Sequence, residues 1–306
     1  MSSNSISFVT VSDDRFGRKD GKYSQTQDQA FNIIEGLGFS NLFFWKWADI
    51  ISNDFYAKNK RILDETNPDM NGRCYKPFAI LESLKSINDG DFLIYNDVSP
   101  EHWINFSFDS SVHSLETIKE LCSSNDGILT TETVWFVNNE LAPHTHENFT
   151  TERCMDRMGM QKYRHSIQHA SGFMVLQKNK KSVEFVSEWL KWNLIDECAS
   201  LKSIDGKDTY YSDDVKTHGK IGHRHDQSIS GLLVNDGNLK ILKNPGGFNF
   251  YNFCRKDYNY QFIETNVGPS QYIYRNTFIN NEWKYSKTPR NPDLVERSQL
   301  DPTNLR

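Results

Sequence analysis

The chain has 306 residues, 37% hydrophobic and 25% charged, the composition of an ordinary globular protein with one large α/β domain or two small ones. Its formal charge of −5 comes without any Lys/Arg block, which argues against nucleic acid as a partner. The longest apolar runs, such as Asn41 to Trp45 and Phe92 to Tyr95, are far too short to span a bilayer, and the first residues lack the basic and apolar regions of a signal peptide. The five cysteines (Cys74, Cys122, Cys154, Cys198 and Cys254) are dispersed, odd in number and free of Cys-x-x-Cys spacing. A disulfide framework and a structural zinc site are therefore disfavoured, and a reducing, cytoplasmic compartment is expected.

In chain order, Ser5 to Val11 reads as a buried strand that ends in the polar run Ser12-Asp13-Asp14-Arg15. Apolar residues at helical spacing predict a helix from Gln25 to Leu37, stopped by Gly38. Asn41 to Trp45 is a second short strand, and the polar stretch from Asn53 to Arg73 reads as part helix, part loop. Pro77 to Ile87 is a helix with Pro in its first turn and Phe78, Ile80, Leu81 and Leu84 on its inner face. The turn Asn88-Asp89-Gly90 leads into a third strand, Asp91 to Tyr95. Strand, helix, strand, helix, strand is the signature of a doubly wound α/β sheet. Such a sheet takes ligands at the carboxyl ends of its strands, so the residues past Val11 and past Tyr95 are expected side by side there.

The second half is less regular. A helix from Ser114 to Cys122, short β pieces at Ile128 to Thr131 and Val134 to Val137, and a strand at Phe173 to Leu176 are expected. A strongly amphipathic helix follows from Lys181 to Ile195, then a polar stretch from Ser200 to Lys220, a helix from Asp226 to Val234 and a strand at Leu239 to Leu242. Residues 1–290 are expected to form a single domain, with 291–306 a loose tail that has little to bury.

Gly90-Asp91-Phe92-Leu93-Ile94-Tyr95-Asn96-Asp97-Val98-Ser99 carries the most chemistry. An apolar strand that emerges into a carboxylate sets that carboxylate at the ligand edge. An oxygen-ligated divalent cation held there would neutralise a diphosphate leaving group. The run resembles the Asp-x-Asp strand of GT-A-fold glycosyltransferases, with Asp97 at the first acid and Ser99 where others have a second Asp or a Gly. Tyr75-Lys76-Pro77-Phe78 is similar to the Trp-Lys-Pro segment before that strand in polysaccharide-type transferases, and glycogenin-like enzymes also carry a Lys at this helix start. Lys76 at a helix N-terminus is a natural place for a phosphate. Phe8 to Phe16 looks like the first strand of the same fold. The resemblance implies nucleoside contacts from Thr10, Ser12 and Asp13, with Phe16 as a stacking ring.

His223-Arg224-His225-Asp226-Gln227-Ser228 resembles the His-x-Asp-Gln-Ser run of those transferases, where the Asp-Gln pair faces the donor sugar. An acid at a helix N-terminus is stabilised as a carboxylate, from where it acts on sugar hydroxyls or on charge developing at the anomeric carbon. The two histidines could instead suit a metal, but ligands two apart fit a strand, and Asp226 onward reads as helix. Gln168 to Met174 resembles the Asn-Ala-Gly segment of glycogenin-like enzymes, placing Ala170, Ser171 and Gly172 beneath the donor sugar. The chain departs from that group in having no His after His225. The likeness implies a GT-A-like, Rossmann-type mixed sheet and a Mn²⁺- or Mg²⁺-dependent transfer of hexose from a UDP-sugar, or another nucleoside diphosphate sugar, to a glycan or other hydroxyl. The competing readings are a sugar nucleotidyltransferase, whose Gly-rich loop after the first strand is missing here, and a non-catalytic carbohydrate-binding protein.

Overall fold

A computed structural model describes residues 4–16, 23–64, 73–98, 115–137, 140–199, 223–243, 260–265, 272–279 and 282–289. The elements are β1 (Ile6–Ser12), α1 (Tyr23–Ile34), β2 (Leu42–Lys46), α2 (Trp47–Ile51), α3 (Asp54–Leu63), α4 (Tyr75–Ser86), β3 (Phe92–Asn96) and α5 (Leu115–Ser123). There follow β4 (Ile128–Leu129), β5 (Val134–Val137), β6 (Glu140–Pro143), α6 (His146–Phe149), α7 (Glu152–Met158), β7 (Phe173–Gln177), α8 (Lys180–Asn193) and α9 (Asp196–Ala199). The last elements are α10 (Asp226–Asp236), β8 (Ile241–Leu242), β9 (Phe262–Ile263), β10 (Tyr272–Ile279) and β11 (Glu282–Pro289).

Five strands form one open mixed sheet in the order β2-β1-β3-β7-β4. β1 lies parallel to β2 and β3, and β7 runs antiparallel to β3 and β4. β1 is buried at every position, as a central strand covered on both faces must be. One face packs Val9, Val11, Leu93, Tyr95, Met174 and Leu176 against α4, α8 and α10, through Phe78, Leu81, Phe185, Trp189, Ile229 and Leu232. The other packs Phe8, Phe92, Ile94, Leu129 and Val175 against α1 and α5, through Ala30, Ile34, Ile118 and Cys122. This is a Rossmann-like α/β topology, a central mixed sheet flanked by helices. Among the described residues no helix is long and apolar enough to cross a membrane.

The three parallel strands and their helices follow the sequence reading to within two residues, and Gly38 adopts the left-handed φ of 82° that stops α1 and its 3-10 extension. The polar stretch after Asn53 is helical as far as Leu63, capped by the Asn53 side chain on the Phe55 N–H. Val134 to Val137 pairs with β6 in a separate hairpin rather than joining the main sheet. Ser99, Ser114, the 200–220 stretch and the 291–306 tail lie outside the described residues.

Candidate functional site

Parallel β2 and β3 require the connecting chain to return across the sheet, so α4 starts at the carboxyl edge. That places Lys76, in the first turn of α4, beside the ends of β1 and β3. The antiparallel β3–β7 register pairs Asn96 with Phe173, which brings residues 170–172 alongside Asp97. The Asp97 N–H donates to the Gly172 carbonyl at 2.8 Å, extending the ladder by one bond. Asp226, the first residue of α10, is fixed from behind: the buried Trp189 indole donates to its backbone carbonyl at 2.8 Å.

Four side chains from four separate stretches of the chain meet at this edge. Lys76 Nζ lies 2.8 Å from Asp226 Oδ2 and 3.2 Å from Asp97 Oδ1, with Ser171 Oγ at 3.5 Å. The Ser171 hydroxyl donates to Asp226 Oδ2 at 3.0 Å, and the Tyr95 phenol donates to Asp97 Oδ1 at 2.5 Å. Lys76 and Asp226 are buried, with side chains only 6% and 5% exposed, whereas the Asp97 side chain keeps 33% of its surface. A buried lysine needs such partners, since an uncompensated charge in the interior is prohibitive. Burial pushes the Lys76 pKa down, but the carboxylates of Asp226 and Asp97 outweigh it and leave the ammonium above the ordinary lysine value. Burial, followed by the charge of Asp97, holds the Tyr95 phenol well above its usual range.

Gly172 has a specific steric reason: a Cβ there would lie 2.9 Å from Asp97 Oδ2. The close approach seen at this glycine is that of Asp97. Arg73, the last residue of the stretch expected to be part helix and part loop, lines the same cleft from a left-handed backbone with φ of 51°. Burial opposes its charge, and the surroundings, with Tyr75, Asp226 and Asp97 foremost, raise its pKa regardless. Val11, Asp13, Tyr23, Tyr75, Tyr95 and Val98 complete the lining of a cavity of about 60 Å³. That volume is a fraction of the roughly 300–1,000 Å³ of typical small-molecule sites.

The residues expected at the nucleoside divide between two faces of β1. Asp13 lines the cleft and is buried, gripped by Arg15 through Nη2 at 2.6 Å and Nε at 3.0 Å, with the Arg15 guanidinium 3.4 Å above the Trp47 ring. Thr10 and Ser12 point to the opposite face, where the Ser12 hydroxyl donates to Gln27 Oε1 at 2.9 Å. Phe16 ends a short 3-10 turn after β1. Of the donor-sugar set, Ala170 is buried and its N–H donates to the Thr131 carbonyl at 2.7 Å, while Ser171 and Gly172 touch the ion cluster directly. Gln227 is half-buried and its amide donates to Gln168 Oε1 at 3.0 Å. His223 is buried, its Nε2 bonded to the Cys198 carbonyl at 2.5 Å, which gives it a structural place behind α9.

Comparison with known proteins is negative twice over. No family model matches the chain, and no curated protein does. The chemistry of the strand edge therefore carries the functional argument unaided.

Among the described residues no three His, Cys, Asp or Glu side chains converge as a ready-made metal cage. The donor set still fits a hard cation held by a single carboxylate. Mg²⁺ commonly takes one or two carboxylates and completes its shell with water and phosphate oxygens. Asp97 Oδ1 is engaged by Lys76 and Tyr95, and Oδ2 lies against Gly172, 2.9 Å from where a Cβ there would sit.

Proposed function

We propose that this chain is a metal-assisted glycosyltransferase of the GT-A type, moving a hexose from a UDP-sugar or another nucleoside diphosphate sugar to a glycan or other hydroxyl acceptor. The observation that carries the reading is the convergence of Lys76, Asp97, Ser171 and Asp226 at the carboxyl edge of a Rossmann-like sheet. These residues are dispersed over the sequence, and the edge where they meet is where such sheets take nucleotides. When bound, a divalent cation supplies neutralisation of the leaving diphosphate, and Asp97 is the residue that would hold it. Lys76, already poised between two acids, supplies a fixed positive charge to the same phosphates. Asp226 and Ser171 present a buried carboxylate and hydroxyl to the sugar. The cleft of about 60 Å³ beside Lys76 and Asp97 would take one end of the donor.

The test combines binding with turnover. UDP with Mn²⁺ at one hundred times its dissociation constant should add roughly 2.7 kcal/mol of stability. Asp97→Asn should abolish metal-dependent release of UDP from a panel of UDP-sugars while the melting temperature stays near wild type, Asp97 being partly exposed. Full wild-type turnover in excess EDTA would sink the metal, and no shift with UDP, GDP, ADP or CMP would sink the nucleotide.

A further inference from the structure

The turn that carries Ser171 and Gly172 is joined to the start of α10 by one buried imidazole. His169 precedes the turn in a short antiparallel bridge with Glu132, and the Ala170 N–H anchors the chain to the Thr131 carbonyl at 2.7 Å. His169 Nδ1 lies 2.9 Å from Thr130 Oγ1, and its Nε2 lies 2.7 Å from Ser230 Oγ on α10. All three side chains are buried, so each of their polar atoms must find its partner within the protein.

The backbone fixes the direction of these bonds. Thr130 Oγ1 lies 3.0 Å from the Ala170 carbonyl and 3.1 Å from the Phe173 carbonyl, the two ends of the turn. Carbonyls only accept, so the Thr130 proton goes to them and its lone pairs face the ring. His169 then donates from Nδ1 and accepts at Nε2. The Ser230 hydroxyl supplies that second bond, because the Asp226 carbonyl, 3.0 Å from it, already accepts from the Trp189 indole at 2.8 Å. The Gln227 carbonyl is farther off, at 3.3 Å. Burial lowers the His169 pKa to about 3, so the ring stays neutral and the pattern holds into mild acid.

We propose that His169 is a positioning residue, a neutral imidazole protonated on Nδ1 that braces the 170–173 turn against the start of α10. Ser171 lies on one of the two pieces so joined and Asp226 on the other, and the brace holds the Ser171 hydroxyl on Asp226 Oδ2, 3.0 Å away. Histidine suits the span because its rigid ring offers a donor at one edge and an acceptor at the other. An Asn or Gln side chain reaches only one of the two neighbours. The consequence for turnover rests on the transferase reading, and the brace itself does not.

Two measurements need no ligand. Nitrogen-15 NMR of the full chain should show His169 with a protonated Nδ1 and an imine Nε2, unchanged between pH 7 and pH 5. The opposite tautomer, or an imidazolium, overturns the proposal. In crystals of His169→Gln, Ser171 Oγ should leave hydrogen-bond reach of Asp226 Oδ2. If that variant does not fold, the milder Ser230→Ala serves, and an undisturbed contact in either folded variant overturns the brace. Turnover then separates bracing from general loosening. Ser230→Ala should lower kcat for UDP release from UDP-sugars about tenfold, with affinity for UDP within about twofold of wild type. In a Ser171→Ala background the same change should cost nothing further, because the hydroxyl being held is gone. Equal losses in both backgrounds, or a loss of UDP affinity alone, overturn the positioning role. If wild type releases UDP from no UDP-sugar, the transferase reading falls, and the tautomer and the crystal contact alone decide the brace.

Discussion

Lys76→Met is the sharpest perturbation, because it keeps the length of the side chain and deletes the charge at the centre of the cluster. Lys76 Nζ is 2.8 Å from Asp226 Oδ2, and the two side chains are only 6% and 5% exposed. Removing one partner of such a buried pair leaves the other uncompensated, which costs about 3–5 kcal/mol. The contact to Asp97 at 3.2 Å adds less, since a third of that side chain meets solvent and is screened. The expected loss is therefore that of one buried pair. Urea unfolding followed by tryptophan fluorescence reads it directly. Because the folded pKa of Lys76 is raised, its contribution is complete below the unfolded lysine value of about 10.4 and fades only as pH climbs through the folded value. The gap between wild type and variant should hold steady from neutral pH into mild alkali and narrow beyond that value. In an Asp226→Asn background the same substitution should cost much less, because the strongest partner is already neutral. An equal cost in both backgrounds, or a loss within about 1 kcal/mol of zero, would refute the ion-pair reasoning.

Asp226→Asn should leave UDP affinity near wild type while lowering kcat and kcat/KM together, assayed well below the reduced melting point; intact turnover would remove Asp226 from the chemistry. Gly172→Ala must displace the Asp97 carboxylate, since its Cβ would sit 2.9 Å from Oδ2, so Mn²⁺-dependent turnover should drop far more than stability does. Burial lowers His146 and His169 to about 3 and His223 to about 4. Each takes up its proton near 6.5 when unfolded, so stability should fall as pH drops below about 6.5, by up to roughly 1.4 kcal/mol per pH unit per histidine. An unchanged urea midpoint between pH 7 and pH 5 would contradict this.

The sequence by itself determined the α/β alternation of the first hundred residues, because each element there buries a face whose period is written in its apolar residues. Ile6, Phe8, Val9 and Val11 declare a strand covered on both faces, and Phe78, Ile80, Leu81 and Leu84 declare the helix beside it. It also marked Asp97, as a carboxylate at the end of an apolar strand, while Lys76 and Asp226 were marked through the resemblance of their segments to those of glycosyltransferases. What only the tertiary structure decided is which of these groups meet. In sequence Lys76 is a charge at a helix start, and it is buried because a crossover helix and the antiparallel β3–β7 register close two acids around it. Thr10 and Ser12 alternate with Val11 and Asp13, and only the packing of α1 against one face of β1 shows that the pair points away from the cleft. Arg73 depends on a left-handed backbone angle, and the Gln227–Gln168 bond depends on polar atoms far apart in sequence. Periodicity records how much of a residue is covered; the partner and direction of a hydrogen bond are set by distances that arise only once the helices have docked.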